Sequence, residues 1–212
     1  QFIDLVIARG GYGLVKAVFK NSTIPVLAHS AGGARIYIDK SADLSVAEKV
    51  TVNAKLSKPA ACNSLDTIVV HRAIANRFIP EITSVLQKKK VIVIGNKEAT
   101  ETDWDKEFLS LTVAIKVVDD VYQAVEFINK HSKKHSEGII AKDKKVIDYF
   151  NNSIDSAAIF INCSTRLHDG NIFGLGSEMG IATGKLQARG PVGLKELTTY
   201  KWVISGNGKI RN

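Results

Sequence analysis

TIVVHRAIANRFIPEITSVLQKKKVIVI, from Thr67 to Ile94, holds two Val/Ile-rich runs with one amphipathic stretch between them. Short continuous β-branched runs fit strands buried on both faces, as parallel sheets require. Between them, Ala73–Gln87 places Ile74, Phe78, Ile82 and Val85 together at helical spacing. Strand, helix, strand in that order is a parallel crossover unit. The same alternation extends in both directions. Further strands are expected at Leu5–Ala8, Val26–His29, Arg35–Ile38, Val113–Val118, Gly138–Ala141 and Ala157–Ile161. Further helices are expected at Ser45–Leu56, with Val46, Val50 and Ala54 on one face, and at Val121–Asn129 and Lys144–Asn152. The chain therefore reads as an α/β fold, a mostly parallel sheet with flanking helices. Residues 162–193 are rich in glycine and poor in Val and Ile, which fits ordered loops, and Leu197–Ile204 reads as a C-terminal strand extension outside the main sheet.

The chain has 212 residues, 45% of them apolar, enough for a sizeable core. No apolar run approaches the roughly 18 residues of a membrane span, and no secretory signal pattern opens the chain. The net charge of +8 is dispersed. Its densest run, Lys88-Lys89-Lys90, suits a helix end. No aromatic-interleaved basic stripe favours nucleic acid. Two isolated cysteines, Cys62 and Cys163, make neither a disulfide framework nor a metal site, so a reducing, cytoplasmic setting is expected and no metal is.

Cys62 follows Lys58-Pro59-Ala60-Ala61 and precedes Asn63. Pro59 lacks an N–H and disfavours helical geometry at Lys58, so the helix ends there and the thiol falls in a turn at the sheet edge. The segment Val52-Asn53-Ala54-Lys55, then Pro59 to Thr67, resembles the catalytic-cysteine region of the gamma-glutamyl phosphate reductases, members of the aldehyde dehydrogenase superfamily. Ala8-Arg9-Gly10-Gly11, Ile36-Tyr37-Ile38-Asp39 and Ser41-Ala42-Asp43-Leu44 resemble upstream motifs of the same family. Asn162 to Arg166, Asp169-Gly170, Phe173 to Glu178, Ala188 to Leu194 and Thr198 to Trp202 resemble its C-terminal signature. Ala34-Arg35, Cys163, Leu167 and His168 depart from it.

The resemblance implies the catalytic domain of the aldehyde dehydrogenase-like fold over residues 1–212, with the N-terminal NADPH-binding domain expected to be absent from this chain. It implies NADPH-dependent reduction of gamma-glutamyl phosphate to glutamate-5-semialdehyde in proline biosynthesis, through a thioacyl intermediate on Cys62. It further implies a homo-oligomer coupled functionally to glutamate 5-kinase. Glu107 matches the superfamily position that contacts the cofactor ribose. Hydrolytic relatives carry a Glu 34 residues before the nucleophile, where this chain has Ala28, as an enzyme that spares its thioester needs.

The residues themselves nominate Arg166. It follows an apolar strand, and ligands of open α/β sheets gather at the carboxyl ends of strands. Its planar fork suits the substrate's α-carboxylate, with Ser164 and Thr165 assisting and Asn63 and Asn162 completing the substrate contacts. The competing role for Arg166 is to brace its loop through Asp169. His71 and His135 read as structural. Phe173-Gly174-Leu175-Gly176 follows a loop and reads as backbone packing, with phosphate cradling as the alternative. Two other readings of the whole chain stand beside a reductase: an inactive oligomerisation or substrate-binding module, and a basic nucleic-acid binder.

Overall fold

The computed structural model describes residues 2–28, 31–185 and 188–211. Its centre is a six-stranded parallel sheet. The strands are β3 (Ala34–Ile38), β4 (Leu65–His71), β5 (Ile92–Ile94), β6 (Thr112–Val118), β7 (Ser136–Ile140) and β8 (Ala158–Ile161), in the order β5-β6-β4-β3-β7-β8. Both faces are covered. On one lie α2 (Leu44–Leu56) and α3 (Arg72–Lys88), whose Ala47, Val50, Ala54, Phe78, Ile82 and Leu86 pack on Ile36, Ile38, Ile68 and Val70. On the other lie α4 (Val121–His131) and α5 (Lys144–Ser153), whose Ala124, Phe127, Ile128 and Phe150 meet Tyr37, Val69 and Ile139. Alternate residues of one strand thus feed opposite layers, and both layers are dry. That is why the strands read as unbroken Val/Ile runs.

The parallel sheet and the eight strands expected between Leu5 and Ile161 are present, although His29, expected to end the second, lies outside the described residues. Val50, Ala54, Phe78 and Ile82 of the expected stripes are buried, and the stripes shift by one residue only at their ends. Ala47 replaces Val46 in α2, and Ala75 and Leu86 replace Ile74 and Val85 in α3. Caps set the helix starts: Asp43 accepts from the Ser45 and Val46 N–H groups, and His71 Nδ1 accepts from Ala73 N at 3.0 Å. His71 is structural, as expected.

A second unit comprises the parallel pair β1 (Val6–Ala8) and β2 (Val26–Ala28), joined by α1 (Tyr12–Asn21). The side chain of Ala28 lies outside the described residues. Against this unit packs the antiparallel pair β9 (Gly180–Ala182) and β10 (Gly190–Val192), with Leu27, Ala182, Ala188 and Val192 forming a small shared core. Neither α1 nor this pair was anticipated. The strand expected at Leu197–Ile204 is not formed: residues 194–197 turn and the rest is irregular. Tyr200, Trp202, Val203 and Ile204 are all more than three-quarters exposed. Preference for a strand is a preference for a half-buried surface, and no described strand lies beside this segment to provide one. No helix among the described residues is long and apolar enough to cross a membrane.

Candidate active site

Cys62 lies in the connection from α2 to β4. Ser57 caps the helix, Pro59 forbids its continuation, and two tight turns follow, from Ala61 N to Lys58 O and from Ser64 N to Ala61 O. The Cys62 carbonyl is then fixed from across the sheet by Gly33 N at 2.6 Å. Gly33 has φ +134, and a Cβ there would come 3.0 Å from Asp66 Oδ2, so glycine is required twice over. At Gly32 a Cβ would overlap Cys62 and the Glu107 carboxylate, which places Glu107 against the Cys62 turn.

Asp66 ties these parts together. Its Oδ1 accepts from Phe108 N at 3.0 Å, beside Glu107, while Oδ2 is buried with no hydrogen-bond partner among the described residues. Burial raises the carboxyl to about 6 despite the Phe108 N–H and the Lys55 and Arg35 charges. Lys55, itself fully buried, donates to Leu65 O at 2.8 Å, and burial lowers its ammonium to about 8. Arg35 donates to Trp104 O at 3.1 Å and lies 3.6 Å from the buried Glu137 carboxylate, whose pKa burial raises. Arg35, one of the departures from the family pattern, therefore sits in the ionic floor of the site.

The thiol lines a cavity of about 200 Å³ with Arg9, Glu178 and the apolar Ile7, Leu27, Met179, Ile181 and Val192. Burial pushes the Cys62 thiol up to about 11, and the charges of Glu107 and Glu178 add to the rise. Its own backbone N–H and Arg166 pull the other way. The mechanism implied by the resemblance needs partial ionisation near neutral pH, and the chain alone does not provide it. A desolvated thiol facing two carboxylates stays protonated. Burial also raises the Cys163 thiol.

The sequence placed Cys62 before a strand but the Asn162–Arg166 segment at the carboxyl end of one, and for all of that segment but Asn162 the structure corrects it. Cys62 precedes the first residue of β4, Gly33 precedes β3, and the His168 ring meets Ser136, the first residue of β7, at 2.8 Å. These are amino ends. After β8 the chain turns at Asn162, with φ +56, and doubles back along the sheet. Asn162 itself stays at the carboxyl end, exchanging hydrogen bonds with Ala141 N and O at 2.9 and 3.0 Å. One length of β7 separates it from the thiol turn, roughly 15 Å. Asn162 is not brought together with the other expected substrate contacts.

Asn63, Ser164, Thr165 and Arg166 are brought to the turn but are largely engaged with one another. Asn63 Nδ2 donates to His168 O at 2.8 Å and Thr165 Oγ1 donates to Asn63 O at 2.8 Å. Ser164 Oγ accepts from Arg166 N at 3.3 Å. Arg166 Nη1 donates to Asn63 Oδ1 and its Nε to Ser57 Oγ at 3.1 Å. It does not brace through Asp169, whose Oδ1 instead accepts from Asn171 and Ile172 N–H groups. With Nε and Nη1 both engaged, Arg166 does not present a free bidentate fork. His135 is fully buried against Ser136, a structural position. Sequence reading missed Arg9 and Glu178 as site residues, because only the return of β9 beside β1 makes them neighbours of Cys62. Among the described residues no group of three or more His, Cys, Asp or Glu could hold a metal ion.

No family model matches the chain. The gamma-glutamyl phosphate reductase of Clostridium botulinum (strain Eklund 17B / Type B) is 45% identical over 221 residues, covering 100% of this chain and 53% of that protein. The crystal structure of gamma-glutamyl phosphate reductase from Thermotoga maritima matches with a TM-score of 0.94 at 45% identity, over 100% of this chain and 53% of that one. An acetylating aldehyde dehydrogenase from Geobacillus thermoglucosidasius shares the fold, with a TM-score of 0.79 at 20% identity, over 99% of this chain and 58% of that one. The chain spans about half the length of the curated relatives it matches. Along its whole length this chain is similar to about half the length of gamma-glutamyl phosphate reductases, and its fold is aldehyde dehydrogenase-like.

Proposed function

We propose that this chain supplies the thiol-bearing half of an enzyme that reduces gamma-glutamyl phosphate to glutamate-5-semialdehyde in proline biosynthesis. The observation that carries the reading is the placement of Cys62: a thiol in a rigid turn, facing a cavity, in a chain that matches named reductases from end to end. The Cys62 sulfur attacks the γ-carbonyl carbon, a C–S bond forms, and the acyl C–O bond breaks with its electron pair leaving on phosphate. The Cys62 backbone N–H, set against the sulfur, is the local donor for the developing oxyanion. When bound, NADPH would supply a hydride to the thioacyl carbon, and the C–S bond would then break with its electron pair on sulfur to release the aldehyde. Glu107 fits a cofactor contact, since its carboxylate lies against the Cys62 turn and can accept from a ribose hydroxyl.

Arg166 is the proposed partner of the substrate's α-carboxylate through Nη2, held ready by Asn63 and Ser57. Acyl phosphates hydrolyse readily, which supports functional coupling to the kinase that makes this one, glutamate 5-kinase. The exposed Tyr200, Trp202 and Ile204 support self-association into a homo-oligomer. Both cysteines are free thiols, which suits a reducing cytoplasmic setting. The test is phosphate-dependent oxidation of glutamate-5-semialdehyde with NADP+ by the full-length protein. Activity is expected, and Cys62→Ser is expected to abolish it; activity surviving that substitution overturns the reading.

A further inference from the structure

Glu178 has no place in the chemistry derived so far. It lines the same cavity as Cys62, and its Oε2 accepts from Gly170 N at 2.8 Å, which fixes the carboxylate in place. Among the described residues no cation lies within ion-pair distance of it. Arg9, the other charged residue of the cavity, donates Nη1 to Met179 O at 2.6 Å. The walls between are Ile7, Leu27, Met179, Ile181 and Val192, which offer a bound charge no other acceptor side chain. An uncompensated carboxylate beside a nucleophilic thiol opposes its ionisation and also repels anionic substrates. The arrangement becomes productive when the ligand brings a cation of its own to that carboxylate.

We propose that the Glu178 carboxylate receives the α-ammonium group of the acyl substrate, so that the site selects an amino acid over its des-amino analogue. The proposal rests on the reading of Cys62 as the acyl-carrying thiol. Two features of the cavity follow the same logic. The ammonium and the acyl carbon are opposite ends of one short chain, and Glu178 and Cys62 are two sides of one small cavity. Neutralising Glu178 also removes one of the two carboxylate charges that hold the thiol protonated, so binding of the correct substrate favours the thiolate. An analogue without the ammonium leaves both charges in force. Discrimination is then built into activation as well as into binding.

The test needs no cofactor. An aldehyde that adds reversibly to Cys62 protects it from iodoacetamide, and mass spectrometry of the modified peptides separates Cys62 from Cys163. Protection by glutamate-5-semialdehyde is compared with protection by 5-oxopentanoate at matched free-aldehyde concentration, in the full-length protein and in Glu178→Gln. Glutamine keeps an oxygen for Gly170 N and loses the charge. In the wild type, the amino-acid aldehyde is expected to protect at about tenfold to a hundredfold lower concentration, the range of one charge-assisted pair. In Glu178→Gln the ratio is expected to fall towards one, and in Glu178→Asp to remain above it. Equal protection by the two aldehydes in the wild type overturns the proposal without any variant and leaves the thiol assignment standing. An unchanged ratio in a folded Glu178→Gln also overturns it and reduces Glu178 to a brace for Gly170. Protection of Cys62 by neither aldehyde overturns the acyl-thiol reading and the proposal with it.

Discussion

At the scale of single residues, the site is organised around a thiol that its own surroundings hold protonated. Burial, Glu107 and Glu178 all raise Cys62, and the Arg166 charge acts for the thiolate. Arg166 therefore has three connected tasks: it holds Asn63, holds Ser57, and lends its charge to the sulfur. Removing it should register in all three. Arg166→Ala is expected to cost about 1–3 kcal/mol of stability, the range for a hydrogen-bonded charge, and to lower kcat/KM by roughly tenfold or more. Arg166→Lys should recover only part of each, because an ammonium cannot span Asn63 and Ser57 from one plane. Chemical denaturation and steady-state kinetics on the same full-length variants check this. A loss of stability with unchanged kinetics per folded molecule would leave Arg166 as a brace alone.

At the scale of elements, the amino ends of β3, β4 and β7, with Lys55 from α2, form an ionic floor of Arg35, Lys55, Asp66 and Glu137 under the Cys62 turn. Asp66 joins β4 to the Glu107 segment, and its burial has a thermodynamic signature. Its folded pKa is raised from 3.8 to about 6, so the folded state holds the proton more tightly than the unfolded chain does. The resulting contribution to stability is complete below the unfolded value and is lost as pH rises through about 6. Each unit of such a shift is worth about 1.4 kcal/mol. Asp66→Asn keeps an acceptor for Phe108 N but cannot titrate. The stability of the wild type relative to Asp66→Asn is therefore expected to fall as pH rises across that window in urea titrations; a constant difference would contradict the assignment.

The same elements show how far the sequence could be read. Strands of the central sheet were legible because both their faces are buried and their composition says so. The strand expected at Leu197–Ile204 has the same kind of residues, but strand formation depends on a neighbour that composition cannot reveal. The end of α2 and the turn at Cys62 were legible from Pro59, a local effect. Placement of Thr165 and Arg166 at the amino ends was not, because it follows from the reversal at Asn162 and their return, with His168, to β4 and β7. Arg9 and Glu178 were missed for the same reason: their role depends on contacts between segments far apart in the chain.

At the scale of the whole molecule, two units meet at the thiol. The six-stranded sheet carries the thiol and its ionic floor, while β1, β2, β9 and β10 wall the cavity above it. Cys62 belongs to the first and Glu178 and Arg9 to the second, so the cavity lies where the two are joined. The chain matches about half the length of gamma-glutamyl phosphate reductases, and in sequence and fold the match runs along its full extent. The central claim is that Cys62 carries the acyl group. Its most direct test is to present the full-length protein with gamma-glutamyl phosphate, generated in place by glutamate 5-kinase with glutamate and ATP, in the absence of reduced cofactor. The protein is then quenched in acid and the thioester mapped by peptide mass spectrometry. A glutamyl adduct on Cys62 that disappears when NADPH is added before the quench is the result this account predicts. An adduct on Cys163, or none on Cys62 while Cys62→Ser still reduces the substrate, would contradict it.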